Sequence, residues 1–342
     1  MVDDVATDCG PAGPRFGLIL ALTINGLAVS RYPDMVRVSG IAERYGFHSI
    51  WLCDHFLTTS PADYVQDAGI SGPGTGGPAA ATRPASMALL EGWTALTALA
   101  RDTTRIRLGT SVLCNSYRHP SVLAKMAATL DVISEGRLEL GLGAGWFKRE
   151  FEAYGIPYPP AGERVSALGE ALELIRAIWT QPVPVYSGRF YTLDGAICDP
   201  PPVQTPHPPL WVGGEGDRVQ RMAARHAQGI NIRWWSPEKV SRRGDFLAEA
   251  CGAAGRDPAT LRLSVTTLLA PTESAQQEAE IRNEFSSIPE AGLIVGSPQK
   301  CIDRIGEYCA AGVDTFLFTI PHVAESEYIH TAGQDVLGAF GV

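Results

Sequence analysis

The stretch that decides the fold runs from Leu108 to Glu150 and reads LGTSVLCNSYRHPSVLAKMAATLDVISEGRLELGLGAGWFKRE. Two runs rich in leucine and β-branched residues, Arg105 to Val112 and Arg137 to Leu142, flank a segment with helical periodicity. This pattern predicts a strand-helix-strand unit with both strands buried. Small or polar residues follow each strand. Because the carboxyl ends of parallel strands meet at one edge of a sheet, we expect a ligand at that edge.

The same alternation of strand-like and helix-like segments continues along the 342 residues. Eight strands followed by helices favour a closed (β/α)8 TIM barrel with insertions over a doubly wound sheet. The predicted strands are Arg15 to Leu22, Ser49 to Cys53, Arg105 to Val112, Arg137 to Leu142, Leu210 to Val212, Gly229 to Ile232, Arg262 to Leu269 and Thr315 to Ile320. The predicted helices are Pro33 to Tyr45, Glu91 to Arg101, Pro120 to Ser134, Glu163 to Trp179, Asp217 to Ala227, Pro237 to Gly252, Glu273 to Phe285, Pro298 to Ala311 and Ser326 to Phe340.

Three segments depart from this alternation. Residues 1–14 are polar and rich in Gly and Pro, which predicts a flexible tail before a single domain over residues 15–342. Thr58 to Pro84 has little periodicity, and so long a connection is typical of a lid or of disorder. Val183 to Pro209 contains many prolines and predicts an ordered insertion with a short hairpin around Ser187 and Gly188.

Composition and charge exclude several classes of function. The net charge of -9 and the absence of a Lys/Arg cluster argue against a nucleic-acid surface. Seven cysteines without a Cys-x-x-Cys pair predict reduced thiols in the cytoplasm. No apolar run reaches about 18 residues, and Asp3, Asp4 and Asp8 stand where a signal peptide needs basic residues. We therefore expect a soluble cytoplasmic protein that binds neither nucleic acid nor membrane.

Two glycine-rich turns follow predicted strands. Gly141-x-Gly143-x-Gly145 lacks the Rossmann spacing, and it fits equally a flat ring against the main chain or a tight strand-to-loop transition. Gly213-Gly214-Glu215-Gly216 ends a strand and opens a helix, where exposed N–H groups and the helix dipole favour an anion. We favour a phosphate there, with a plain turn as the alternative.

A few charged or titratable side chains are candidates for chemistry. His55 follows Asp54 at the end of the second strand, which favours a ligand-facing role over a structural histidine. The other six histidines form no zinc-binding pattern with it, so we expect no metal. Glu91 and Glu150 are either carboxylates at the barrel mouth or charges favoured at helix N-termini. Arg118 is a candidate helix cap or anion ligand.

These motifs together carry a resemblance to a known family. The opening stretch closely resembles the luciferase-like monooxygenase superfamily, in the branch that uses the deazaflavin coenzyme F420. The resemblance continues through GERVSALGEALELIRAIWT (Gly162 to Thr180), FYTLDGAICDPPPVQTPHPPLWVGGEG (Phe190 to Gly216) and VGSPQKCIDRIGEYCAAGVDTFLF (Val295 to Phe318). It covers nearly the whole chain apart from the tail and the Thr58 to Pro84 loop.

The resemblance implies a (β/α)8 barrel, usually a homodimer, that binds F420 or FMN at its carboxyl-terminal mouth. Asp54-His55 matches the pair beside the deazaflavin ring, and Ser111-Val112 matches a non-prolyl cis peptide that backs the ring. Gly213-Gly214 matches the phosphate-binding turn, and Asn231 belongs to the segment after it. The cofactor-binding residues implied are therefore Asp54, His55, Ser111, Val112, Gly143, Gly145, Gly213, Gly214 and Asn231.

The resemblance also implies hydride transfer between F420 and a small organic substrate. We expect His55 to exchange the proton, with Glu91 as a second candidate, and Trp146 and Phe147 to form the substrate wall. The family's sugar-phosphate dehydrogenases carry an aromatic residue and a glutamate where this chain has Thr59 and Trp146, which argues against sugar oxidation. An FMNH2-dependent monooxygenase with a partner reductase is the alternative, and a non-catalytic flavin-binding protein is a third possibility.

Overall fold

Eight parallel strands close into a barrel, as the sequence predicts. The structure, a computed structural model, describes residues 13–21, 24, 27–57 and 88–341. The last strand of the barrel pairs with both the first and the seventh, and the seventh also pairs with the sixth, so the eight barrel strands form a closed sheet. In barrel order the strands are β1 (Arg15–Ala21), β2 (Ser49–Leu52), β3 (Arg107–Thr110), β5 (Leu138–Gly143), β8 (Leu210–Gly213), β9 (Gly229–Arg233), β10 (Arg262–Pro271) and β12 (Thr315–Thr319).

Helices surround the barrel and connect its strands. Those described are α1 (Tyr32–Arg44), α2 (Gly92–Asp102), α3 (Pro120–Ile133), α4 (Lys148–Ala153), α5 (Ala161–Thr180), α6 (Asp217–His226), α7 (Pro237–Ala253), α8 (Ala275–Glu284), α9 (Pro298–Ala310) and α10 (Tyr328–Thr331). Eight of the predicted helices are found within one or two residues of their expected bounds. No helix in the described part of the chain has the length and apolarity needed to cross a membrane.

The additional strands are short. They are β4 (Leu113–Cys114) beside β5, the antiparallel pair β6 (Val185–Ser187) and β7 (Thr192–Asp194), and β11 (Leu293–Gly296) beside β10. The β6–β7 pair is the hairpin predicted around Ser187 and Gly188. The sequence analysis missed β11, a four-residue apolar run that is too short to distinguish from a turn by periodicity.

Large aromatic side chains fill the barrel interior. Trp51 and Trp211 meet edge to face with ring centroids 5.7 Å apart. A Cβ atom at Gly109 would lie 2.3 Å from the ring of Trp51, so this position on the neighbouring strand has room only for glycine. The interior is therefore a packed core, and space for a ligand is left to the ends of the strands.

Three findings differ from the sequence analysis. Lys148–Ala153 is a helix that the sequence analysis did not predict. The terminal helix predicted from Ser326 to Phe340 is broken into α10, a π-helical turn over Ala332–Val336 and a 3-10 turn over Leu337–Phe340. Within it, Gly333 packs so closely on Tyr45 that a Cβ would lie 2.3 Å from that ring.

The third finding concerns the cysteines, which are not all reduced thiols. Cys309 is disulfide-bonded, whereas five others are free thiols: Cys53, Cys114, Cys198, Cys251 and Cys301. The predicted loop from Thr58 to Pro84, including Thr59, lies outside the described residues, as do residues 1–12 of the predicted tail.

Candidate active site

A cavity of about 590 Å³ opens at the carboxyl ends of the barrel strands. Its wall is built from the segments that follow β2, β3, β5, β8 and β9. Eleven of the predicted site residues line it: Asp54, His55, Ser111, Val112, Gly143, Gly145, Trp146, Phe147, Gly213, Gly214 and Asn231. The edge expected from the strand pattern is thus the edge where the cavity lies.

Asp54 is held in place by a bidentate ion pair. Its carboxylate accepts hydrogen bonds from the two terminal nitrogens of Arg118 at 2.7 and 2.9 Å and from the backbone N–H of Cys114 at 2.9 Å. The side chain is 2% exposed. A buried carboxylate with these partners fixes the segment after β3 against the end of β2, because each donor would lose its partner if either moved.

Glu91, the second candidate for proton exchange, occupies a helix-capping position beside Arg118. Its carboxylate caps α2 by accepting from the backbone N–H groups of Trp93 and Thr94, and it pairs with Arg118 at 2.5 Å. Burial alone would raise the pKa of Glu91, but these hydrogen bonds and Arg118 lower it. Glu91 is not among the described residues that line the cavity.

His55 is bound to a carboxylate that the sequence left unassigned. Its Nδ1 lies 3.0 Å from Oε2 of Glu150, which is fully buried on α4. The hydroxyl of Tyr117 donates to the same oxygen at 2.6 Å. Burial alone would raise the pKa of Glu150, but hydrogen bonds from His55, Tyr117 and the N–H of Leu57 outweigh it and lower the pKa. The cavity wall therefore contains a histidine that contacts a buried carboxylate whose pKa is lowered.

The peptide bond between Ser111 and Val112 is cis, as the resemblance implied. Val112 lies against the glycines of β5 and β8, and a Cβ at Gly143 would come within 2.7 Å of its Cγ2. At Gly145, where φ is +80°, a Cβ would lie 2.6 Å from Sγ of Cys114. Protein atoms already occupy this space, so packing accounts for both glycines even though they line the cavity.

The turn after β8 combines glycine with nearby cations. Gly214 has φ of +147°, and its N–H donates to the carbonyl oxygen of Asn231 at 3.2 Å. The amide of Gly214 is therefore already used, and an anion at this turn would meet the N–H groups that follow it. Helix α6 begins there without a side-chain cap. Lys239 and Arg233 also line the cavity.

An aromatic wall stands beside His55. Trp146 stacks on Phe147 with ring centroids 5.2 Å apart, and His55 meets both rings edge-on at 5.7 and 6.0 Å. Phe147 is 1% exposed, so it supports Trp146 from behind. The side of the cavity next to the histidine is consequently flat and apolar.

Comparison with known proteins agrees with this geometry. The family model described as luciferase-like monooxygenase matches residues 15–288. The chain belongs to this family. A relative from Mycobacterium tuberculosis that is described only as an uncharacterized protein is 31% identical over 298 residues, covering 86% of this chain and 95% of the relative. The F420-dependent glucose-6-phosphate dehydrogenase of Microbacterium testaceum is 28% identical over 330 residues, covering 87% and 90%.

Solved structures share the luciferase-like barrel. An F420-dependent secondary alcohol dehydrogenase in complex with an F420-acetone adduct has a TM-score of 0.78 at 18% identity and covers 96% of this chain and 99% of its own. The EDTA monooxygenase of Chelativorans also has a TM-score of 0.78, at 14% identity, and covers 96% and 93%. At these identities the likeness concerns the fold, which is common to both kinds of enzyme.

The sequence analysis missed several parts of this luciferase-like site. It gave no role to Tyr117, Arg233, Trp234, Trp235 or Lys239, all of which line the cavity. A cue was available for Arg233 and Trp234, because they directly follow a predicted strand, as His55 does. Tyr117 offered no such cue, since its contact with Glu150 joins residues 33 apart. Within the described ranges, no cluster of three or more His, Cys, Asp or Glu could hold a metal ion.

Proposed function

We propose that this luciferase-like protein is an F420-dependent oxidoreductase that moves a hydride between F420 and a small organic substrate. One observation carries the proposal. The same cavity is lined by His55, which contacts Glu150, by Ser111 and Val112 with their cis peptide bond, and by the glycine turn after β8. The F420-dependent relative and the F420-dependent alcohol dehydrogenase with the same fold support this choice of cofactor.

The residues present fit a flat ring that carries an anionic tail. The apolar wall around Val112 suits the ring, and the uncapped start of α6 with Lys239 suits a phosphate. The Nζ of Lys239 lies 3.5 Å from the carboxylate of Glu215, which keeps it at this turn. When bound, F420 supplies a two-electron hydride carrier. The chain's own part is to orient the ring, exclude water and move a proton.

His55 is our candidate for that proton, since it lies on the cavity wall and its Nδ1 is held by Glu150. Trp146, supported by Phe147, is our candidate for the surface on which substrate packs. A tryptophan at this position favours apolar contact, whereas the sugar-phosphate dehydrogenases that the sequence resembles carry a glutamate there. We therefore propose a substrate other than a sugar phosphate.

Binding measurements with the purified protein test the choice of cofactor. We expect micromolar F420 to quench the tryptophan fluorescence and FMN to have little effect. Lys239→Gln should weaken F420 binding about tenfold, which corresponds to about 1.4 kcal/mol. Lys300→Gln removes a lysine outside the cavity and should leave binding unchanged. Micromolar FMN binding without F420 binding would overturn the proposal.

The second candidate function is an FMNH2-dependent monooxygenase that receives its FMNH2 from a partner reductase. The fold shared with the EDTA monooxygenase favours it. Incubating the protein with substrate candidates and FMNH2 in the presence of O2, and separately with F420H2 without O2, distinguishes the two chemistries. Product formation only in the first mixture would support the monooxygenase.

The remaining proposals concern the molecule as a whole. We propose a single domain over residues 15–342, a homodimer and a cytoplasmic location, without binding to nucleic acid or membrane. Size-exclusion chromatography with light scattering tests the homodimer, and a monomeric mass would contradict it. Limited proteolysis tests the single domain, since two stable fragments from within residues 15–342 would contradict it.

A further inference from the structure

Glu150 has four hydrogen-bond partners arranged around its two oxygens. Oε1 accepts from the backbone N–H groups of Phe56 and Leu57 at 2.6 and 2.8 Å. Oε2 accepts from the hydroxyl of Tyr117 at 2.6 Å and faces Nδ1 of His55 at 3.0 Å. A carboxylate offers about four lone-pair sites, so the acceptor capacity of this fully buried group is used completely.

This arrangement determines which ring nitrogen of His55 carries hydrogen. An ionised carboxylate can only accept, and the two amides and the phenol can supply protons to it without removing its charge. The low pKa of Glu150 is consistent with that charge state. A neutral His55 with hydrogen on Nε2 would set its Nδ1 lone pair against the lone pairs of Oε2. Nδ1 must therefore be the donor.

Several groups near His55 are uncharged or are paired with other residues. Asp54 is engaged by Arg118, and burial raises the pKa of the neighbouring thiols Cys53 and Cys114 to about 12, so both are neutral. Tyr117 is also neutral, because burial and its bond to Glu150 raise its pKa. The one cation from β9 that lines the cavity, among the residues described, is Arg233, which lies over the ring of Trp234 at 4.7 Å.

We propose that Glu150 is a positioning residue that fixes His55 as the Nδ1–H tautomer and thereby reserves Nε2 for proton exchange in the cavity. The neutral ring then accepts a proton through Nε2, and the cationic ring returns it from the same atom while Nδ1–H stays on Glu150. Only the use of that proton rests on the proposed function. The tautomer is a property of the protein without cofactor.

A purely structural role for Glu150 is the competing explanation. Its Oε1 anchors the backbone directly after His55, and loss of that anchor would also lower activity. Activity alone therefore cannot separate the two roles. The tautomer separates them, because a carboxamide can still accept from the amides of Phe56 and Leu57, whereas its NH2 group would donate to Nδ1 and favour hydrogen on Nε2.

The experiment is ¹⁵N NMR of the cofactor-free protein labelled at histidine, at a pH where the ring is neutral, with His55→Ala used to assign the signal. We expect a protonated Nδ1 and an unprotonated Nε2 in the wild type, and the reverse as the major form in Glu150→Gln. An Nε2–H tautomer in the wild type would overturn the proposal even if the variant failed to fold. An unchanged tautomer in Glu150→Gln would also overturn it.

Two variants serve as controls. Tyr117→Phe removes a neighbouring hydrogen bond but leaves the carboxylate, so the tautomer should persist. Glu139→Gln removes an equally buried carboxylate at the other end of the barrel and should also leave the tautomer unchanged. A tautomer change in Glu139→Gln would show that general loosening of the fold is sufficient, and it would overturn the assignment to Glu150.

Kinetics then connect the tautomer to the reaction. With F420 and a turned-over substrate, Glu150→Gln should lower kcat about 10²-fold, in the range of a lost acid or base, while F420 affinity changes less than about threefold. If the wild type binds no F420, the proposed function fails and the NMR result still stands. If the wild type turns over and the tautomer is unchanged in Glu150→Gln, the positioning role fails and the proposed function stands.

Discussion

Glu139 and Glu150 are buried carboxylates associated with opposite ends of the same strand. Glu139 lies near the start of β5, where Nε of Arg107 is 2.5 Å away and the indole N–H of Trp211 donates at 2.6 Å. Glu150 follows the carboxyl end of β5, and its side-chain partners are a histidine and a tyrosine. The two groups are about equally buried, so burial does not distinguish their roles.

The difference lies in the partners. Glu139 faces the guanidinium of Arg107, a group suited to holding a buried carboxylate. Glu150 faces the imidazole of His55, the type of side chain that most often serves as a general acid or base. Glu139 thus joins neighbouring strands, whereas Glu150 holds an imidazole ring at the cavity. This agrees with the general division of barrels into a stabilising end and a reactive end.

The largest expected effect is loss of turnover in His55→Ala. Removing a general acid or base typically costs a factor of about 10² to 10⁴ in rate, and we expect unfolding stability and F420 affinity to change little. Steady-state kinetics with equilibrium F420 titration checks this. His322→Ala, which removes an exposed histidine paired with Glu284, is the control and should retain full turnover. Wild-type turnover in His55→Ala would contradict proton exchange by His55 at this end of the barrel.

Glu139→Gln should produce the largest loss of stability. The substitution leaves the guanidinium of Arg107 without its charge partner, and breaking a buried ion pair in this way costs about 3 to 5 kcal/mol. Arg107 is 24% exposed, so we expect the lower part of that range. Urea unfolding followed by circular dichroism measures it. If Glu139→Gln lowered the free energy of unfolding less than Glu150→Gln does, the proposed difference between the two carboxylates would be contradicted.

Glu150→Gln should destabilise the protein less, by about 1 to 3 kcal/mol, because it leaves no guanidinium without its carboxylate partner. The effect depends on pH. Since the pKa of Glu150 is lowered in the folded protein, its stabilising contribution is present above the carboxyl pKa of the unfolded chain, about 4.3, and is lost as the pH falls through the folded value. Urea unfolding at several pH values should therefore show wild type and variant converging in acid. A constant gap would contradict this.

The smallest effect is expected for Tyr117→Phe. It removes one hydrogen bond to Glu150 and leaves three donors in place, which costs about 0.5 to 1.5 kcal/mol. Thermal unfolding should show a modest decrease in Tm, and turnover should fall less than in Glu150→Gln. A loss of turnover equal to that of His55→Ala would instead place the phenol in the reaction.

The sequence by itself determined the barrel and the edge at which its cavity lies. The order of strands and helices follows from apolar periodicity, which reflects how each element must bury its own face. The residues after β2, β3, β5 and β8 could be placed at one edge because parallel strands end together. Resemblance to the luciferase-like family added the cis bond at Ser111–Val112, which strand spacing alone would not predict.

Only the tertiary structure decided which charged groups meet. His55 and Glu150 are 95 residues apart in the chain, and they touch because β2 and β5 lie on opposite sides of β3 in the closed sheet. Arg118 likewise joins Glu91 to Asp54 across separate connections. Local periodicity carries no information about such pairs, because hydrogen bonds between side chains on different segments depend on barrel closure and on the direction of each loop.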